Sequence, residues 1–253
     1  MSTSTTKNSS THSIETVPPL RNGDHLSADE FLRRYEAMPD LKKAELIDGR
    51  VYIPSVDAYL SARSHSSMSS LVSFENHSAP HFDLITWLGI YRASTIGVRG
   101  GDNGTVRLEP RSVPQPDAFL LILPDLGGRT ALGEDGYIQG APELVAEVSF
   151  SSVSYDLHEK LDAYQRSGTL EYVVWRVEEG KIDWFVAREG RFERLNPGPD
   201  GLLKSEVFPG LWLDVEALIR GDLSAVFGAV QRGLATVEHA DFVGRLRRAD
   251  AES

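Results

Sequence analysis

The spacing of apolar residues changes period along this chain, and each change marks an element. Residues 1–25 are rich in Ser, Thr and Asn, show no period, and read as a disordered tail. Order is expected from Leu26. Ser27 followed three residues later by Glu30 is a capping box, and Phe31, Leu32 and Tyr35 supply a helical stripe. Asp48-Gly49 between Ala44–Ile47 and Arg50–Ile53 predicts a hairpin. Residues 54–78 are Ser-rich and irregular. Helical spacing returns from His81 to Tyr91, through Leu84, Ile85 and Leu88. A Gly-rich turn is expected at 100–104, strands near Thr105–Leu108 and Asp117–Leu123, and a loop over 124–140.

The next stretch is the most regular. A strand over 143–149, a helix over 156–167 ending at Gly168, and a strand over 171–177 fit a crossover between two parallel strands. Glu178–Lys181 turns the chain into Ile182–Val186, and Asp200-Gly201 marks a further turn. Ser205–Leu213 reads as a short packed segment. Residues 222–248 predict a C-terminal helical extension with Leu223, Val226, Phe227, Val230 and Leu234 on one stripe. The plan is one α/β domain over roughly 26–220, flanked by the tail and by an extension over 221–253.

Composition narrows the function. The 253 residues carry a formal charge of −11, which argues against a nonspecific nucleic-acid coat but not against a local basic groove. No apolar run approaches the roughly 20 residues of a membrane span, and the N-terminus has no secretory apolar core, so a cytoplasmic protein is expected. With no cysteine, disulfides, thiol nucleophiles and Cys-ligated metals are excluded.

Three charged residues stand out of place against these patterns. Asp117 opens the apolar run 117–122, and Glu147 interrupts the run 143–149. By period two, Glu147 shares a strand face with Glu143 and Val145, while Leu144, Ala146 and Val148 share the other. A charge among such neighbours loses hydration and needs a partner or a metal. Lys160 shares the apolar face of Leu157, Leu161 and Tyr164 and leans toward the strand of Glu147, whereas Asp156, Glu159 and Gln165 can point to water. Each has a plainer reading: turn chemistry for Pro116-Asp117, a structural ion pair for Glu147, a snorkelling stem for Lys160. Together, two acids and a lysine form the inventory of a metal-dependent phosphodiesterase site. A sugar-hydrolysing carboxylate pair would not need the lysine.

The ordered series Pro116-Asp117, Glu147-Val148-Ser149, Tyr155–Leu161 and Glu171–Trp175 resembles the Uma-two restriction-endonuclease family, within the PD-(D/E)XK nuclease superfamily. Ala44–Gly49, the helix starting His81-Phe82-Asp83 and Phe208–Leu213 also resemble it, so the likeness spans roughly 26–220. The resemblance implies a restriction-endonuclease-like mixed sheet flanked by helices, with additional antiparallel hairpins. It implies Asp117 and Glu147 on adjacent strands as ligands of Mg²⁺ or Mn²⁺, aided by the backbone carbonyl of Val148. Ser149 stands where the superfamily has its lysine, and Lys160 is the natural substitute. Glu45 matches an early acid that reaches the metal through water, and His81 matches a family histidine. Asp156, inside the matching segment, is a supporting candidate. Departures are Phe150, where the family has Ser-Pro nearby, and His65 and His77, which read as surface residues.

The implied activity is a metal-dependent endonuclease acting on nucleic acid, DNA foremost, with no membrane partner. The rival is a catalytically inactive binding or partner module on the same fold. Trp184, Phe185 and the C-terminal stripe would offer a homodimer face.

Overall fold

In the computed structural model of the chain, residues 17–53, 73–150 and 152–252 are described. Most of the Ser-rich segment, with His65, lies outside them. The first helix, α1 (Ala28–Glu36), starts where its cap demands: the Ser27 hydroxyl accepts from the Glu30 amide at 3.3 Å. Strands β1 (Glu45–Ile47) and β2 (Arg50–Tyr52) form the expected hairpin. Its turn residues, Asp48 and Gly49, sit at φ 52° and 80°, the positive values that a tight two-residue hairpin turn requires. A π-helical turn (Phe74–Ser78) leads into α2 (Ala79–Ser94).

The centre is a six-stranded sheet. Its strands are β3 (Val98–Asp102), β5 (Ala118–Ile122), β8 (Leu144–Ser149), β9 (Glu171–Arg176), β10 (Lys181–Arg188) and β11 (Arg191–Arg194). They lie in the order β11-β10-β9-β8-β5-β3. β8 and β9 pair in parallel and the other neighbours are antiparallel, so the sheet is mixed. The crossover between the parallel pair runs through a helical turn (Val153–Tyr155), a π-helical turn (Asp156–Lys160) and α3 (Leu161–Ser167), which ends at Gly168 with φ 84°. Short strands β4 (Val106–Arg107), β6 (Ala131–Leu132) and β7 (Ile138–Gln139) make a small separate sheet. Strands β12 (Leu203–Lys204) and β13 (Trp212–Leu213) precede α4 (Val215–Ile219), α5 (Leu223–Leu234) and α6 (Val237–Glu252).

Period two sorts the sheet into two buried faces. Leu144, Ala146, Val148, Val173 and Trp175 pack in the larger core with α2 and the C-terminal helices. Phe119, Leu121, Val145, Tyr172 and Val174 pack against Tyr164 of α3. A third cluster joins α1 to the hairpin through Phe31, Leu32, Leu46 and Val51.

Several expectations are corrected. The glycines at 100–101 do not form the expected turn but lie in edge strand β3. A Cβ on Gly101 would stand 2.1 Å from the Phe119 ring, so glycine there makes room for an aromatic neighbour on β5. Order begins before Leu26: Leu20 is buried, and the amides of Gly23 and Leu26 donate to the carbonyls of Val51 and Gly49. The C-terminal stripe faces inward: Val226 and Val230 lie in the main core, and Leu223, Phe227 and Leu234 pack half-buried against it. Trp184 is fully buried and Phe185 packs half-buried on Phe192 and Tyr172, so Trp184 offers no surface to a second chain. Among the described residues no helix is long and apolar enough to cross a membrane.

Candidate active site

The register of β5 on β8 builds the site. Ala118 pairs with Ala146 and Phe119 with Val145, so one step further Asp117 lies opposite Glu147. Both side chains fall on the α3 side of the sheet by period two. The backbones tie them together: the Val148 amide donates to Asp117 Oδ2 at 2.8 Å, and the Asp117 amide approaches Glu147 Oε2 at 3.4 Å.

Lys160 meets this pair from the crossover helix. Its Nζ lies 2.8 Å from Glu147 Oε1, 3.0 Å from Glu45 Oε1 and 3.7 Å from Asp156 Oδ1. Its side chain is 3% exposed, so it does not snorkel. The Tyr164 hydroxyl also donates to Glu147 Oε1, at 3.2 Å. Glu45, at the start of β1, accepts the Gln115 amide at 2.8 Å and so anchors the hairpin beside Pro116-Asp117. Asp156 is buried rather than water-facing, because it lies four residues before Lys160 on the same helical face. The hydroxyl of Ser152 donates to it at 2.5 Å.

Two further side chains at the site were not assigned to it from sequence. Lys43 Nζ lies 3.0 Å from Asp117 Oδ1, with its side chain 31% exposed. The signal was available: Lys43 stands two residues before Glu45, and extended backbone points both the same way. His77 is partly buried, not a free surface residue. It lies near Asp117 and the Val148 backbone and stacks on His81 with centroids 5.5 Å apart. His81 Nε2 in turn lies 3.0 Å from the Asp117 backbone carbonyl and 3.2 Å from Asp102. His81 therefore braces the backbone of Asp117 rather than its carboxylate.

The electrostatics follow from burial of mixed charge. Burial raises the Glu147 pKa to about 8, with Asp117, Asp156 and Glu45 adding to the rise and Lys160 opposing it. Burial raises Asp156 as well. Burial also presses upward on Asp117, but Lys43, Lys160 and the Val148 amide hold it below the usual carboxylate range. Lys160 stays charged against burial because Glu147, Glu45 and Asp156 surround it.

Four buried carboxylates (Glu45, Asp117, Glu147, Asp156) face two ammonium groups (Lys43, Lys160). Fully ionised, the cluster carries two uncompensated negative charges, which suits a doubly charged cation. Its donors are oxygens, suited to a hard ion. As they stand, no three metal-binding side chains converge among the described residues, and an ammonium sits on each central carboxylate.

The six-stranded mixed sheet flanked by helices is a fold that the chain shares with a solved structure. The chain aligns with the crystal structure of a "putative nuclease belonging to DUF820" from Anabaena variabilis, at TM-score 0.50 and 15% identity. The alignment covers 81% of this chain and 99% of that one. The profile of the Uma2 family, described as "Putative restriction endonuclease", matches residues 67–216, more than half of the sequence. The chain belongs to the Uma2 family. No curated protein matches it.

Proposed function

We propose that this chain is a divalent-cation-dependent endonuclease that hydrolyses phosphodiester bonds in nucleic acid, DNA foremost. The observation that carries the reading is the meeting of Asp117, Glu147 and Lys160 from two strands and a helix. The Lys160–Glu147 contact is 2.8 Å, and the Asp117 amide stands 3.4 Å from Glu147. Asp117 and Glu147, with the Val148 carbonyl, would hold Mg²⁺ or Mn²⁺. The ion would supply Lewis acidity toward the phosphate and lower the pKa of bound water.

The chain's own residues do the rest. Lys160 lowers the cost of ionising Glu147 in a buried place and fixes its carboxylate against β5. Glu45 and Asp156 hold Lys160 from the other side, so the ammonium is centred rather than drawn onto one acid. Tyr164 fixes the same Glu147 oxygen and limits its rotation. His81 locks the Asp117 backbone where the strand begins.

The test is a cleavage screen on single- and double-stranded DNA and RNA with Mg²⁺ or Mn²⁺, wild type beside Asp117→Ala and Glu147→Ala. Each substitution is expected to lower the rate at least about 100-fold, on the order of 3 kcal/mol. Unchanged cleavage by Asp117→Ala ends the proposal. One observation favours the rival inactive module: Lys43 already neutralises Asp117. Calorimetry with Mn²⁺ separates the two, since carboxylate-dependent heat is expected of the enzyme alone.

A further inference from the structure

Lys160 is the lysine that the sequence offers for the phosphate, yet its surroundings oppose that task. An ammonium has three protons. Around Lys160 stand Glu147, Glu45 and Asp156 at 2.8, 3.0 and 3.7 Å, and the Tyr155 ring lies 5.4 Å away. At 3% exposure it has no open path to a ligand, and leaving its partners would strand buried carboxylates.

Lys43 is its opposite. Among the described residues it forms one ion pair, with Asp117 Oδ1 at 3.0 Å. Its side chain is 31% exposed while that of Asp117 is 4% exposed, so Lys43 reaches the buried aspartate from the solvent side of the site. It also rests on the oxygen that a cation held by Asp117 would need.

We infer that Lys43 is the substrate-contacting lysine of this site. It neutralises Asp117 while no cation is present, and passes to a phosphate oxygen of the nucleic acid when a divalent cation takes its place. Lys160 is then a positioning residue for Glu147. The inference rests on the cation-dependent nuclease reading above and assigns the phosphate contact within it. Cation and nucleic acid thereby favour one another's binding: the ion frees the ammonium, and the freed ammonium has a phosphate to meet.

The test uses the full chain and three variants: Lys43→Gln, Lys43→Arg and Asp117→Asn. Calorimetry with Mn²⁺ alone is expected to show Lys43→Gln binding the ion at least about fivefold more tightly than wild type, because a competing positive charge is gone. Anisotropy with a labelled DNA oligonucleotide, in Ca²⁺ to suppress cleavage, is expected to show about tenfold weaker binding by Lys43→Gln. The slope of log affinity against log salt should fall by about one, the signature of one lost phosphate contact. Lys43→Arg should restore both within about threefold. A merely structural lysine would leave the salt slope unmoved. Tighter Mn²⁺ binding with unchanged DNA affinity and slope overturns the inference and leaves the nuclease reading standing. Absence of any Asp117-dependent Mn²⁺ binding in wild type overturns both.

Discussion

Replacing Lys160 by methionine tests the electrostatic account of the site most directly. Methionine keeps the length and most of the volume but removes the charge. Three buried carboxylates, Glu45, Glu147 and Asp156, then lose the ammonium that lies 2.8–3.7 Å from them. Breaking a buried ion pair from one side costs about 3–5 kcal/mol. For a chain of this length that is a fall in Tm of about 6–20 °C. The loss must depend on pH. Burial raises Glu147 to about 8 and pushes Asp156 up even with the lysine present, and removing it lifts both further. At pH 5 protons stand in for the missing charge and the penalty is small; at pH 8 the fold must hold protonated acids that are ionised in the unfolded chain, or ionise them unpaired, and the penalty is full. Urea unfolding at the two pH values reads the difference. A loss under about 1 kcal/mol at pH 8, or an equal loss at both, would refute the reasoning.

Glu147→Gln removes the raised carboxylate. A group raised from 4.5 to about 8 stabilises the fold below its unfolded value, and that stability is lost as pH rises through about 8. The variant should therefore lose a few kcal/mol less than wild type between pH 5 and 8, measured by denaturant titration without divalent ions. Gly101→Ala should destabilise by about 1–3 kcal/mol because its methyl meets the Phe119 ring, and Phe119→Leu should recover part of that in chemical denaturation. Phe242→Ala, in the main core, should cost about 3–5 kcal/mol in one cooperative transition. A separate early melting phase would show instead that the C-terminal helices are an independent appendage.

The elements that sequence patterning captured are those whose signal is local. Ser27 with Glu30, Asp48-Gly49 and the β8–α3–β9 crossover each carry their own cap, turn or period. The double glycine of β3 was read as a turn because its reason, the Phe119 ring, lies on another strand. Trp184 and the C-terminal stripe were placed outside for a similar cause: an apolar stripe does not say whether it meets solvent or sheet. At the site, the out-of-place acids pointed to Asp117 and Glu147, since charge in a buried strand is conspicuous. Lys43 passed unnoticed because a lysine before a short strand is ordinary until Asp117 is seen 3.0 Å away. Asp156 was turned to water although its four-residue spacing from Lys160 was in plain view.

Contributions to the charged cluster come from residues 43 and 45, 117, 147, 156 and 160, so it is stitched from segments distant along the chain. The hairpin brings its acid and lysine early in synthesis, yet they have nothing to meet until the crossover helix emerges. A growing polypeptide thus carries the buried charges of the cluster unpaired until its later segments arrive. A chain lacking residue 160 could not assemble the charged cluster, which forms only once the crossover helix has packed on the sheet.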